Sequence, residues 1–265
     1  MYLTPHVFMQ FISRKPFGSH SPFLYAFAEN CILSRAKVYE TEGLEMARKK
    51  LLCDTTELLI TDFGKGRKIG KKNETNLPLQ YKRSVSSIAK HSLQSPSMCR
   101  FLFRTARFLA PETILELGTS LGVSTACLAL AAPRARVISL EGCPQTAARA
   151  AILFRESGIK NIDLRTGPFS QMLSKALNDL EKVDMVYIDG DHSYQGVMNN
   201  FVAIEKHIHS QSVLVLDDIR WSKGMRKAWL EIATNSKATL AVDMYRLGLV
   251  FFNPGFSKQI VPVAF

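Results

Sequence analysis

An apolar run, two spaced glycines and a second apolar run follow one another in the segment ILELGTSLGVST, and this order constrains the fold most. Ile114 to Leu117 are typical of a buried parallel strand, and Val123 to Leu130 resume with helical spacing. Gly118 and Gly122 allow the intervening backbone to pass close to a ligand. The spacing Glu116-x-Gly118-x-x-x-Gly122 differs from the G-x-G-x-x-G of dinucleotide binders. The segment therefore predicts a nucleoside-binding turn of another kind, and the alternative is a tight connection without a ligand.

A second strand, VISLEG, ends in an acid where nucleotide-binding folds place one. Glu141 lies about 20 residues beyond the glycine turn, the spacing at which a carboxylate binds ribose hydroxyls. Glu141 is therefore the candidate ribose ligand. The alternative is an acid that favours the start of the helix at Pro144 through its charge.

The next two strands end in a cluster of polar residues. DMVYIDGDHSY places Asp189, Asp191 and His192 at the end of one strand, and VLVLDDIRW places Asp217 and Asp218 at the end of the next. In open α/β sheets this edge binds ligands. Carboxylates gathered there raise one another's pKa unless a cation or a set of hydrogen-bond donors offsets their charge, and a cation is the more economical explanation. The cluster therefore predicts a hard divalent cation such as Mg²⁺, bound by Asp189, Asp217 and Asp218.

The same residues also have ordinary structural uses. Asp217 and Asp218 can cap a helix that begins near Ser222, and Asp191 or Ser193 can cap the helix from Tyr194. His192 can be a hydrogen-bonded loop residue. A functional role is therefore favoured by the presence of all these residues at one predicted edge of the sheet, and not by any one of them alone.

The glycine turn resembles motif I of the class I S-adenosylmethionine-dependent methyltransferases. The two acidic segments resemble the metal-binding segments of the catechol and caffeoyl-coenzyme A type O-methyltransferases, and by position Asp189, Asp217 and Asp218 match the metal ligands. His192 stands where the better-known members carry a lysine as general base; a free histidine, with a pKa of about 6.5, can accept a proton at neutral pH. Asp218 stands where an asparagine is usual.

HSPF, LEGCP and DDIRWSKGM are similar to an uncharacterised bacterial methyltransferase family, which implies no substrate. The resemblance implies a doubly wound, Rossmann-like, seven-stranded α/β sheet over residues 111–265, with a helical extension over residues 1–110. His192 and Asp189 are the expected catalytic residues. Ser170 stands where many relatives place an acid near the adenine. The residues expected to hold S-adenosylmethionine are Glu116, Gly118, Thr119, Ser120, Gly122, Ser124, Glu141, Gly142, Gly167, Phe169 and Asp189.

The positive charge is concentrated in the N-terminal part. The chain has a net charge of +11, and residues 1–110 carry 18 Lys and Arg against 8 Asp and Glu. The charge is densest in FGKGRKIGKKN, Phe63 to Asn73, which is either a solvated loop or a stretch that steers an anionic substrate. No aromatic residue lies between Lys65 and Lys72, so nucleic acid is not favoured as a partner.

Composition is that of a globular protein, with 46% hydrophobic residues. No run approaches the roughly 20 apolar residues of a membrane span. The N-terminus lacks the pattern of a secretion signal. The five cysteines are scattered, which favours reduced thiols, and we expect a cytoplasmic protein without membrane contact.

Periodicity predicts a coarse layout of helices and strands. Expected helices cover Pro22 to Ile32, Glu45 to Leu59, Ser84 to His91 and Pro96 to Leu109. Expected strands cover Val137 to Leu140, Ile162 to Leu164, Met185 to Ile188 and Val213 to Leu216, followed by the antiparallel pair Ala238 to Met244 and Gly248 to Phe252.

The sequence and the resemblance together favour a metal-dependent O-methyltransferase acting on a small hydroxylated molecule. Residues 1–110 are expected to shape the acceptor pocket or to join two copies in a homodimer. An RNA methyltransferase and a cofactor-binding module without transfer activity are the alternatives.

Overall fold

The computed structural model describes residues 21–34, 38–63 and 78–263, and its strands form two sheets. The small sheet pairs β1 with β2 in antiparallel fashion, and the large sheet has the order β10-β8-β9-β7-β6-β3-β4-β5. The strands are β1 (Glu57–Asp62), β2 (Leu79–Ser84), β3 (Thr113–Leu117), β4 (Arg136–Glu141), β5 (Ile162–Thr166), β6 (Met185–Ile188), β7 (Val213–Leu216), β8 (Leu240–Met244), β9 (Leu247–Phe251) and β10 (Gln259–Pro262).

Helices cover both faces of the large sheet. They are α1 (Pro22–Phe27, continued by a π-helical turn to Ile32), α2 (Glu42–Cys53), α3 (Val85–Ser92), α4 (Pro96–Leu109), α5 (Val123–Ala131), α6 (Pro144–Glu156), α7 (Phe169–Leu180), α8 (Tyr194–Ile204) and α9 (Lys223–Ala233). Short 3₁₀ turns at Tyr39–Thr41 and Glu205–His207 precede α2 and follow α8.

The α/β fold class predicted from the sequence is confirmed. β3 to β7 run parallel, and β9 is antiparallel to both β7 and β8. The sheet has one strand more than the seven expected, because Gln259–Pro262 pairs in parallel with β8. Among the described residues no helix is of a length and hydrophobicity that would let it cross a bilayer.

The parallel strands at the centre of the sheet position the site. Every residue of β6 and of β7 is buried, as is expected of strands covered on both faces. β3 pairs with both β4 and β6, so the carboxyl ends of β4, β3, β6 and β7 meet at one edge. The acidic residues that follow these strands therefore lie together.

The prediction that one helix runs from Glu45 to Leu59 is wrong beyond Cys53. The Asp54 side chain accepts a hydrogen bond from the Thr56 backbone N–H at 2.9 Å, which is a local turn that competes with the helix. The chain then extends into β1, whose buried Leu58 and Ile60 alternate with exposed residues. β1 pairs with β2 from Glu57↔Ser84 to Asp62↔Leu79. Residues 64–77, which hold the lysines of the basic loop, lie outside the described residues.

Candidate functional site

A cavity of about 750 Å³ opens at the carboxyl edge of the large sheet. Its walls come from the ends of β3, β4, β6 and β7, from the β1–β2 hairpin and from the segment between α3 and α4. It brings together these predicted site residues: Gly118, Ser120, Glu141, Gly142, Phe169, Asp189, His192 and Asp218, with Ser170 beside them.

Glycine is required at the two positions of the turn for different structural reasons. Gly118 has a φ of +105°, and an added Cβ would lie 2.5 Å from the carbonyl oxygen of Asp189. A glycine is therefore needed where the end of β3 lies against the end of β6. Gly122 has a φ of +85°, and an added Cβ would lie 2.7 Å from the Phe154 ring and 2.9 Å from Ala150. Gly122 is therefore required by packing against α6, and it lies behind the cavity wall.

Gly122→Ala is expected to lower the free energy of unfolding by about 1 to 3 kcal/mol, from strained backbone together with a side-chain clash. Gly158→Ala is the matched control, because Gly158 has a φ of +67° and open space around it, so only the strain applies. Urea unfolding of both variants measures the difference. Equal losses would show that the contact with α6 does not constrain Gly122.

Glu116 is buried behind the turn and away from the cavity. It accepts hydrogen bonds from Ser124 Oγ at 2.7 Å, from Ser139 Oγ at 2.6 Å and from the Thr125 hydroxyl. Burial raises the pKa of Glu116, and these hydrogen bonds oppose that rise. Glu116 therefore joins β3, β4 and α5 at the turn.

Three other expected cofactor residues also lie off the cavity. Thr119 is buried and shares a hydroxyl contact with Ser139, and Ser124 is committed to Glu116. Gly167 has a φ of +145°, and Met172 lies beside it. Direct cofactor contact by these residues, by Glu116 and by Gly122 remains a prediction.

Glu141 lies on the cavity wall with both of its oxygens fixed. Oε2 accepts the Ser120 N–H at 2.7 Å, and Oε1 accepts the Cys143 N–H at 2.8 Å. Burial raises the pKa of Glu141, and hydrogen bonds from the backbone oppose the rise. Each carboxylate oxygen can still accept another hydrogen bond, as a pair of vicinal hydroxyls requires.

The β1–β2 hairpin forms a wall that sequence reasoning missed. The Leu59 N–H donates to Gln145 Oε1 at 2.6 Å, which attaches β1 to the start of α6. Phe63 packs on Gly142 so closely that an added Cβ would lie 2.9 Å from its ring. The short apolar run Leu58 to Ile60, followed by the β-branched Thr61, was the signal that could have found this strand.

Asp189 and Asp217 lie close together and share two hydrogen-bond donors. Gln94 Nε2 donates to Asp189 Oδ2 at 2.9 Å and also to Asp217 Oδ2. The Tyr187 hydroxyl lies 3.2 Å from Asp189 Oδ2 and 3.4 Å from Asp217 Oδ2. Burial and the neighbouring Asp217 raise the pKa of Asp189 well above its usual value.

Arg246, in the turn between β8 and β9, supplies the positive charge at this rim. Its Nη2 lies 3.1 Å from Asp217 Oδ2, and its Nε lies 3.1 Å from Asp218 Oδ1. Burial and Asp217 still raise the pKa of Asp218, because one guanidinium faces three carboxylates. Neither Arg246 nor Gln94 belongs to a sequence motif, so neither was foreseen.

A divalent cation fits this rim in ligand type and in charge. Asp189, Asp217 and Asp218 offer oxygens only, and their negative charge exceeds that of Arg246. As these side chains stand, no group of three or more Asp, Glu, His and Cys residues in the described chain is arranged to hold a metal ion. The Oδ2 atoms of Asp189 and Asp217 both accept hydrogen bonds from the amide of Gln94. An ion bound between these two oxygens would have to displace that amide.

His192 projects into the cavity from the loop after β6. Its Nε2 lies 3.9 Å from Asp189 Oδ1, and its ring centroid lies 6.4 Å from that of Trp221, which is 72% exposed. Asp191 holds this loop by accepting the Ser193 hydroxyl at 2.7 Å. His192 can therefore reach a molecule that lies against Trp221.

The capping alternative for the acidic pair is wrong. Ser222 caps α9, since its Oγ accepts the Met225 N–H at 3.1 Å, and Ser193 caps α8 in the same way. Asp217 and Asp218 instead face Arg246.

Parts of this chain are similar in sequence to known methyltransferases. Residues 115–219 match a family model described as a methyltransferase domain. An O-methyltransferase of Aspergillus hancockii is 28% identical over 52% of this chain and 56% of its own length. A catechol O-methyltransferase of Niastella koreensis is 35% identical over 37% of this chain and 45% of its own length. The chain thus spans about half the length of these curated relatives.

Solved structures share the fold. An O-methyltransferase from Bacillus cereus, in complex with S-adenosylhomocysteine, aligns over 61% of this chain and 83% of its own, with a TM-score of 0.52 and 22% identity. The O-methyltransferase TomG of Streptomyces achromogenes, in complex with S-adenosylmethionine, aligns over 61% of this chain and 82% of its own, with a TM-score of 0.53 and 22% identity. Residues 115–219 are therefore similar to a methyltransferase domain, and the chain shares the α/β fold of these solved O-methyltransferases.

Proposed function

We propose that this protein transfers a methyl group from S-adenosylmethionine to a hydroxyl of a small molecule. The observation that carries the proposal is one cavity with Glu141 on its wall and His192 beside the acidic rim. Relatives that are O-methyltransferases, one of them named for catechol, support it. Residues 111–265 would bind the cofactor, and the N-terminal region would complete the cavity through Gln94 beside the acidic rim and through the β1–β2 hairpin beside Gly142.

The cofactor side of the cavity is the part near the glycine turn. Glu141 would accept hydrogen bonds from the ribose hydroxyls, since the Ser120 and Cys143 N–H groups hold its carboxylate in place. Gly118 and Gly142 line this side of the cavity, and Phe169 packs against Gly190 at the same wall. When bound, S-adenosylmethionine supplies an electrophilic methyl group.

The acceptor side is the part between His192 and Trp221. His192 would take the proton of the acceptor hydroxyl on a ring nitrogen while that oxygen bonds to the methyl carbon and the sulfur–methyl bond breaks. Trp221 offers an exposed ring as a wall for an aromatic acceptor. Asp189, at 3.9 Å from His192, would stabilise the protonated imidazole.

The proposal includes a divalent cation, Mg²⁺ by preference, held by Asp189, Asp217 and Asp218. The observation in its favour is that three carboxylates, one buried and two partly buried, lie at a rim with the single guanidinium of Arg246. Such an ion, when bound, lowers the pKa of an acceptor hydroxyl and aligns it. The competing donors are Gln94 and Arg246, which hold the same oxygens.

Calorimetry with S-adenosylhomocysteine, followed by transfer assays, tests the proposal. We expect binding, and transfer to catechols that exceeds transfer to monophenols when Mg²⁺ is present. Salt-sensitive methylation of RNA would instead support an RNA methyltransferase. Cofactor binding without transfer to any phenol would support a binding module.

Glu141→Ala is expected to weaken S-adenosylhomocysteine binding by about 1 to 3 kcal/mol, because hydrogen bonds to a charged acceptor are lost. Glu156→Ala is the control, since it removes the same charge from an exposed position at the end of α6. Calorimetry of both variants, with their melting temperatures, separates lost binding from lost folding. Unchanged affinity in Glu141→Ala would remove Glu141 from the cofactor site.

A further inference from the structure

The side-chain oxygen of Gln94 is a buried acceptor without a hydrogen-bond partner. Gln94 lies between α3 and α4, is 3% exposed and lines the cavity. Its Oε1 has no hydrogen-bond partner within the described part of the chain. An unsatisfied buried acceptor is costly, so the amide is held in this orientation by the two carboxylates that its nitrogen contacts.

The backbone of Gln94 is anchored, so only the side chain can respond to a ligand. The Arg48 guanidinium donates to the Gln94 carbonyl oxygen, and the Cys99 thiol lies 3.9 Å from that oxygen. Ser95, the next residue, caps α4 through the Met98 N–H at 3.2 Å. The amide therefore reaches the rim from a fixed point.

The amide presents its nitrogen to Asp189 and Asp217. A half-turn about the last side-chain bond exchanges the nitrogen and the oxygen, because the amide is planar and its two ends have nearly the same shape. Without a cation, the oxygen would face two carboxylate oxygens and be repelled. With a divalent cation between them, the same oxygen becomes a ligand of the kind that Mg²⁺ and Ca²⁺ accept from glutamine.

Asp217 would keep its other donors after such a turn. Arg246 Nε and Nη2 lie 3.2 and 3.1 Å from its two oxygens, and the Asp218 N–H donates to Oδ1 at 2.8 Å. The Tyr187 hydroxyl remains near Asp189. Release of the Gln94 amide therefore leaves neither carboxylate without a partner.

We propose that Gln94 is a neutral oxygen ligand of the divalent cation, and that its amide turns from donor to ligand when the ion binds. The inference rests on the proposed cation dependence. It implies that the N-terminal region, which lies outside the matched residues 115–219, completes the metal site. The methyltransferase domain alone would then bind the ion weakly.

A titration of the full chain with Mn²⁺, in the presence of S-adenosylhomocysteine, tests this proposal. Electron paramagnetic resonance measures the concentration of free Mn²⁺ at each step of the titration. Gln94→Leu is expected to weaken Mn²⁺ binding about 10- to 100-fold, the range known for groups that support a metal site. Gln94→Glu is expected to bind Mn²⁺ at least as tightly as the natural chain, because it supplies a charged oxygen. Gln171→Leu, on the exposed side of α7, is the control and should bind Mn²⁺ unchanged.

Melting temperatures measured with and without Mn²⁺ provide a second readout. Without the ion, Gln94→Glu adds a carboxylate beside Asp189 and Asp217, so its melting temperature should fall. Mn²⁺ should then raise the melting temperature of this variant more than that of the natural chain. This comparison keeps the proposal falsifiable even where Gln94→Leu fails to fold.

Different failures have different meanings. If the natural chain binds Mn²⁺ and Gln94→Leu binds it equally well, Gln94 is only a structural donor and the ligand assignment is overturned. If Gln94→Leu weakens S-adenosylhomocysteine binding but not Mn²⁺ binding, the free oxygen serves the cofactor, which also overturns it. No Mn²⁺ binding to the natural chain overturns the proposed cation dependence together with the role of Gln94.

Discussion

Replacing His192 with alanine is expected to lower turnover by about 10² to 10⁴ while leaving cofactor affinity nearly unchanged, as the loss of a general base does. His192 lies on the cavity wall 3.9 Å from Asp189, whereas Glu141 and the glycine turn lie on the cofactor side. A general base must be unprotonated to act, so turnover of the natural chain should fall in acid. The variant should lose that fall.

Steady-state assays over a pH range of about 6 to 9 measure the effect. His207→Ala is the control, because His207 lies at the opposite end of the strands, where its ring contacts the Glu181 carbonyl oxygen. The same rate and the same pH dependence in His192→Ala and the natural chain would exclude His192 as the base. Parallel loss of cofactor affinity would instead indicate a positioning role.

The core of the fold was predictable because its elements are defined by local pattern. The bounds of β6, β7 and α4 were predicted to the residue. β6 and β7 are short apolar runs with acids at their ends, and α4 begins with Ser95 as its cap and a proline in its first turn. In each case the residues that decide the element lie within it or beside it.

The parts that were missed depend on contacts between distant residues. The first half of β1, up to Leu59, was predicted as helix because the strand is defined by its pairing with β2, which follows residues 64–77 in the chain. Gln94 and Arg246 reach Asp217 from 123 and 29 residues away along the chain, so no local spacing marks them. The amide and the guanidinium nevertheless change the chemistry expected of the acidic rim.

The glycine turn shows the difference between recognising a motif and assigning its parts. Its position after β3 was predicted, yet Glu116 binds three hydroxyl groups within the protein, and Gly122 packs on α6. A turn that must hold a ligand also needs residues that hold the turn. Sequence spacing gives both kinds of residue the same signal.

Chelation is expected to abolish methyl transfer to a catechol, and added Mg²⁺ or Mn²⁺ should restore it. The physical reason is the charge at the rim, where Asp189, Asp217 and Asp218 face the single guanidinium of Arg246. Carboxylates buried together at such a charge imbalance are costly without a further cation, and a hard divalent ion prefers oxygen ligands of this kind. Transfer assays after treatment with a chelator, with and without added ion, measure the dependence.

Asp217→Asn should raise the concentration of ion that transfer requires and leave S-adenosylhomocysteine affinity unchanged, because Asp217 is fully buried beside Gln94 and away from Glu141. Asp163→Asn, which removes the same charge from a partly exposed pair with Arg165 on β5, is the control. Transfer that survives chelation, together with no bound ion in a Mn²⁺ titration, would contradict the prediction. Arg246 and the amide of Gln94 would then be the groups that balance the rim, and the acceptor hydroxyl would depend on His192 alone for its activation.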